Sequence, residues 1–139
     1  MKLSEMPGHL IRRLHQRSAA VFQDRMRLAA HDITSVQYAA LITLLEHPGI
    51  DQATLAGLIA YDRATIGGVV QRLEQKGLVE REVDKRDRRA RRLRLTEAGK
   101  QAITELLPVV RDLQEEILAR LTIEERKTLL QLIGKAIAD

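Results

Sequence analysis

The residues best suited to a chemical task lie between Tyr61 and Lys100. That stretch holds twelve lysines and arginines against seven carboxylates, a local net charge of +5, while the rest of the chain carries −1 of the overall +4. The excess gathers in the polar run Asp84-Lys85-Arg86-Asp87-Arg88-Arg89 and in Arg91, Arg92 and Arg94 just after it. Crowded guanidinium groups suit a polyanion, because each phosphate they neutralise releases condensed counterions. A second set comes just before. From Asp62 to Lys76, Ile66, Val69, Val70 and Leu73 recur at helical spacing and leave Arg63, Ala64, Thr65, Gly67, Gly68, Gln71 and Arg72 on the other side. A helix about 10–12 Å wide fits the major groove of B-DNA, so that outer face is a candidate base reader.

Two details refine the pattern. Gly67 and Gly68 each cost a helix interior about 1 kcal/mol relative to alanine. Either the helix packs closely on a neighbour or ends early there, or the backbone approaches DNA where a side chain would obstruct it. In both cases base reading falls on Arg63, Thr65, Gln71 and Arg72. Asp87, set among six or seven cations, reads as an organiser, since a carboxylate can hold an arginine two residues along in a bidentate pair. A charge run alone is usually a solvated surface. Its place on a turn directly after two short helices is what points to DNA.

Other chemistries find little support. The chain has no cysteine, which removes disulfides, thiol catalysis and cysteine-ligated zinc. His9, His15, His31 and His47 lack metal-ligand spacing. No phosphate-binding glycine loop, activated nucleophile or carboxylate pair stands out, so neither an enzyme nor a cofactor or metal is expected. With 139 residues, 45% of them apolar, one domain is the natural size. No apolar run approaches a membrane span and no export signal is evident, so a cytoplasmic protein without membrane contact is expected.

The elements that must position these residues can be read in turn. A helix is expected from about His9 to Ala30, entered through Met6-Pro7-Gly8, with Leu10, Leu14, Ala20 or Val21, Met26 and Leu28 along it. Thr34-Ser35-Val36-Gln37 has the form of a capping box, opening a helix with Tyr38, Leu41, Ile42 and Leu45 inward and a stop at His47-Pro48-Gly49. Asp51 caps a short helix to Ala60, with Leu55, Leu58 and Ile59 inward. Asp62 caps the next, and Gly77 stands where a left-handed C-terminal residue belongs. Leu78–Val83 and Arg91–Leu95 alternate as strands of a hairpin with a long basic tip. Thr96 opens a long helix with Ile103, Leu106, Leu107, Val110, Leu113, Ile117 and Leu121 in a stripe and a kink expected at Pro108. A second capping box, Thr122 to Glu125, opens the last helix with Leu129, Leu130, Ile133 and Ile137. The expected fold is mainly α with one small β-hairpin, a winged helix-turn-helix at about 34–95 flanked by terminal helices at about 7–30 and 97–138. A lobe this small cannot bury both terminal stripes, which implies a second subunit.

The run from Asp62 to Val79, with Asp84-Lys-Arg-Asp-Arg-Arg-Ala90 and Leu93-Arg-Leu-Thr-Glu-Ala-Gly99, resembles the signature of MarR-type transcriptional regulators. The resemblance covers essentially the whole chain. It implies a two-fold homodimer held by its chain ends, reading an inverted-repeat operator in double-stranded DNA with recognition helices roughly 34 Å apart. By position Thr65 and its neighbours match the major-groove reader, Asp87 the wing carboxylate and Arg89 the minor-groove arginine, with Arg86 and Arg88 beside them. Gly67-Gly68 departs from the polar residues often found there.

The resemblance also implies a small anionic or phenolic effector in a cleft between the dimerisation helices and the DNA-binding lobe, releasing a repressor from its operator. Pro7 to Leu14 resembles the first helix of regulators of aromatic-acid catabolism, where an arginine takes the carboxylate. Arg12 is the first candidate, with Arg13 the alternative; the plainer reading makes both surface cations. His15, Ser18 and Tyr38 are candidate hydrogen-bonding partners, though each also suits a structural role. The competing function is a winged-helix architectural or protein-interaction module without an effector.

Overall fold

The structure is a computed structural model and describes residues 1–59, 61–87 and 91–138. A short 3₁₀ turn at Leu3–Glu5 leads into α1 (Pro7–Leu28), followed by α2 (Ser35–Glu46), α3 (Gln52–Leu58), α4 (Arg63–Gln75), strands β1 (Val79–Val83) and β2 (Arg91–Leu95), α5 (Glu97–Ile117) and α6 (Ile123–Ile137).

Local chemistry sets most of the boundaries. Pro7 occupies the first turn of α1, where its missing N–H costs nothing. The next five helices each open on a side-chain cap: Thr34, Asp51, Asp62, Thr96 and Thr122 accept from the backbone N–H three residues on. At Thr34 and Thr122 the reciprocal Gln37 and Glu125 complete a capping box. Helix α4 ends as expected on Gly77 at φ 74°, where the Leu78 N–H returns to the Leu73 carbonyl at 3.0 Å. Helix α1 ends in the same geometry without glycine: Ala30 sits at φ 57° while the His31 N–H reaches the Met26 carbonyl at 2.9 Å. Helix α5 runs uninterrupted through Pro108.

Two apolar clusters divide the chain. The larger joins Leu41 and Leu44 of α2, Leu55 of α3, Ile66, Val70 and Leu73 of α4, Val79 and Leu93 of the hairpin and Ile103 of α5. The smaller joins Phe22 and Met26 of α1 and Ile33 to Leu106, Val110 and Leu113 of α5. Several expected inward residues lie outside. Leu45, Leu58 and Leu107 are 48%, 52% and 38% exposed, and Leu28 is 77% exposed. On α2 the buried residues are Gln37, Ala40, Leu41 and Leu44, one step round from the expected face. The α2 sequence is apolar on nearly every side, so periodicity carried no direction there. Phe22, absent from the expected stripe, is buried.

The hairpin pairs antiparallel with Val79 opposite Leu95 and Val83 opposite Arg91. It gains a third edge from the turn before α3: the Gly49 N–H donates to the Leu93 carbonyl and the Leu93 N–H to the Ile50 carbonyl, at 3.0 and 2.9 Å. At the other end of the lobe, Thr96 joins three elements. Its hydroxyl donates to the Gly77 carbonyl at 2.6 Å and accepts from the Gly99 N–H at 3.0 Å. A Cβ at Gly99 would be driven into the Leu78 carbonyl oxygen, so only glycine lets α5 approach the α4–β1 turn this closely.

Candidate nucleic-acid interface

Helix α4 sorts its residues by face. Ile66, Val69, Val70 and Leu73 are buried, while Arg63, Ala64, Thr65, Gln71 and Arg72 are exposed on the outer surface. Gly67 and Gly68 are half-buried and face different surroundings. A Cβ on Gly68 would meet nothing within 4 Å, whereas one on Gly67 would stand 3.2 Å from the Gln52 Nε2 of α3. Close packing therefore accounts for Gly67 but not for Gly68.

The cap at Asp62 changes what Thr65 can offer. Asp62 accepts the Thr65 N–H at 2.8 Å through one oxygen and the Thr65 hydroxyl at 2.7 Å through the other. These bonds, that from the N–H first, hold the Asp62 carboxyl below its ordinary range, so it is an anion that only accepts. The Thr65 hydroxyl proton is thus spent, leaving a methyl group and accepting lone pairs for any outside partner.

The wing is braced by a carboxylate the sequence reading did not single out. Asp84 accepts the Arg86 N–H at 2.9 Å and grips Arg92 twice, from Nε at 3.2 Å and Nη2 at 3.0 Å. Arg92 extends Nη1 to the Gly49 carbonyl at 2.9 Å, tying the wing to the loop before α3. The backbone bond from Arg86 leads the causes that lower the Asp84 pKa, with Arg92 adding to it. Arg94, at 3.3 Å from Glu82 across the hairpin, packs its guanidinium on Gly49. Arg86 and Asp87 are exposed near the tip. Arg88 and Arg89, also expected to touch DNA, lie outside the described residues. Asp87 borders an open depression of about 370 Å³ whose walls include Gln52, Arg63, Arg81 and Arg91.

Four of the five expected effector residues, Arg12, Arg13, His15 and Ser18, lie on α1, and Tyr38 lies on α2. Arg13 lines an open cleft of about 630 Å³ with Leu10, Leu14, Ile117, Leu121 and Arg120. Arg17, on the same wall, is already committed, its Nε donating to the Ile117 carbonyl at 3.0 Å. Arg12 and His15 are exposed on α1 and Ser18 is half-buried. Tyr38 lies against Phe22, ring centres 6.5 Å apart and tilted by 54°. Burial raises its pKa, and Arg111 partly opposes the shift. Among the described residues no cluster of three or more histidines and carboxylates could hold a metal ion, and no helix is long and apolar enough to cross a membrane.

Two short crossing helices, a braced hairpin and an exposed reading face define a winged helix-turn-helix regulator. Residues 33–90 match the sequence model of the MarR family. The chain is 36% identical to the transcriptional repressor NicR of Pseudomonas putida over 97% of its own length and 84% of that protein. The solved structure of Bordetella bronchiseptica BpsR, described with the regulation of its DNA binding by 6-hydroxynicotinic acid, superposes with a TM-score of 0.92 at 29% identity, covering 100% of this chain and 99% of that one. The repressor CouR, solved on a 23-mer DNA duplex, superposes at 0.89 with 26% identity over 98% and 95% of the two chains. The chain belongs to the MarR family of transcriptional regulators.

Proposed function

We propose that this chain is a repressor that binds an inverted-repeat operator as a homodimer and leaves it when a small aromatic or phenolic acid binds. One observation carries the dimer. Helix α6 has no buried residue, and Ile123, Leu130, Leu132, Ile133 and Ile137 are between 40% and 76% exposed. Apolar surface on that scale at both chain ends asks for a partner, and a second copy is the partner a two-fold operator requires. Residues 34–95 then form the DNA-binding lobe and 7–30 with 97–138 the dimerisation helices. Arg63, Ala64, Thr65, Gly67, Gly68, Gln71 and Arg72 enter the major groove, while Arg86, Asp87, Arg88 and Arg89 serve the wing.

The effector class follows the relatives: NicR is named a repressor, and BpsR is tied to a hydroxylated pyridine acid. Arg12 takes the carboxylate, with His15, Ser18 and Tyr38 along the ring. A second seat is favoured by the Arg13 cleft, whose leucine and isoleucine walls suit a ring and whose arginines suit its charge. Sedimentation and titration with the duplex upstream of its own gene test the reading together. A dimer with at least about 10³-fold preference over random duplex is expected. A lone subunit, or equal binding to all duplexes, overturns it in favour of an architectural module. Release by 100-fold on adding a hydroxybenzoate or hydroxynicotinate corresponds to a coupling of about 2.7 kcal/mol.

A further inference from the structure

The reading face of α4 lacks side chains where they would be most useful, at Gly67 and Gly68, and a neighbouring helix covers one of the gaps. Gln52, the first residue of α3, lays its carboxamide beside Gly67, its Nε2 3.2 Å from where a Cβ would stand. A Cβ at 67 would make that amide give way by a few tenths of an ångström, and a larger side chain by more. Gln52 as a whole is half-buried, and no hydrogen bond within the described residues engages its carboxamide. Neither its nitrogen nor its oxygen is sealed from solvent, and Gln52 lines an open depression, so both atoms are available to a partner from outside. Its surroundings favour a polyanion: Arg63, Arg81 and Arg91 border the same open depression, against Asp51 and Asp87.

We infer that Gln52 is a specificity-determining residue for DNA, reading an adenine through the space that Gly67 leaves open. A glutamine carboxamide donates through its nitrogen and accepts through its oxygen, the complement of adenine N7 and N6 in the major groove. Helix α3 thereby supplies the hydrogen-bonding group that α4 lacks at position 67. The packing explanation of Gly67 and its DNA-facing explanation then become one: the glycine is small so that a reader from the next helix can lie across it. This inference rests on the repressor reading.

The test uses full-length protein. Wild-type chain selects duplexes from a random library, and single base-pair changes are then made across the enriched inverted repeat. At one A·T pair in each half-site, substitution should cost wild type about 10-fold or more in affinity and cost Gln52→Ala less than about twofold. Gly67→Ala should lose the same preference at the same pair, because its methyl displaces the amide, while its melting temperature stays at or above wild type. Gln52→Ala weakening every duplex alike marks a phosphate contact and overturns base reading, as does unchanged affinity. Wild-type base preference in Gly67→Ala overturns the role of the gap. Selection that enriches no inverted repeat instead overturns the repressor reading, and this inference with it.

Discussion

The winged lobe and the terminal helices use similar leucines and isoleucines to opposite ends. In the lobe, Leu41, Leu55, Ile66, Val70, Leu73 and Leu93 are wholly buried by one chain. In α6 nothing is buried, and Leu130 stands 63% exposed. Yet α6 is the better-signalled helix locally, with its capping box at Thr122 and Glu124-Glu125 in the first turn. Good local signals make a helix, but they do not tell it what to pack against. The lobe buries its apolar residues within one polypeptide, whereas α6 leaves its own exposed, which is the basis of the proposed dimer.

The sharpest way to break that comparison is a pair of charges in α6. Leu130→Asp with Ile133→Asp should convert the dimer to a single subunit in sedimentation and weaken operator binding by at least about 100-fold, since each half-site then binds alone. A dimer that survives would move the interface elsewhere. Next in size, Leu73→Ala should cost the lobe about 2–5 kcal/mol at any protein concentration. Leu130→Ala should instead produce a loss in melting temperature that shrinks as concentration rises. Equal concentration dependence in both variants would erase the distinction between the regions.

Arg12→Ala addresses the proposed effector site on α1. It should bind the operator as wild type does, yet fail to release on adding the aromatic acid, while Arg13→Ala releases normally. The reverse result would place the effector in the Arg13 cleft. Acid should act on the lobe through Asp62 and Asp84, whose folded pKa values are lowered by backbone hydrogen bonds. Their stabilisation is complete above the unfolded carboxylate value of about 3.9 and is lost as pH falls through the lower folded value. Asp84→Asn should flatten that acid limb of the unfolding profile. The smallest effect belongs to Ala30→Gly. Replacing a left-handed alanine at the end of α1 should raise stability by up to about 1 kcal/mol, read by urea unfolding.

What the sequence disclosed, and what it hid, follows the range of each interaction. Thr34, Asp51, Asp62, Thr96 and Thr122 act on an N–H three residues away, so helix starts were legible. Gly77 was legible for the same reason. The inner face of α4 was legible because its apolar and polar residues contrast. Helix α2 offered no contrast, and Leu45 was therefore turned the wrong way. The Asp84–Arg92–Gly49 brace spans 8 and then 43 residues in a run where every arginine looks alike. Gln52 gave no signal, because a polar residue at a helix start is unremarkable until the neighbouring glycine is seen in three dimensions.

The Thr96 hydroxyl has a mechanical consequence. One oxygen atom rivets the foot of the long α5 rod to the tail of the reading helix, and Gly99 leaves no slack around the rivet. A 21-residue rod is about 30 Å long, so tipping it by about 5° swings its far end by some 3 Å. A tilt of α5 at that far end would therefore be felt first at the Gly77 turn that closes α4, as a tiller is felt at its post.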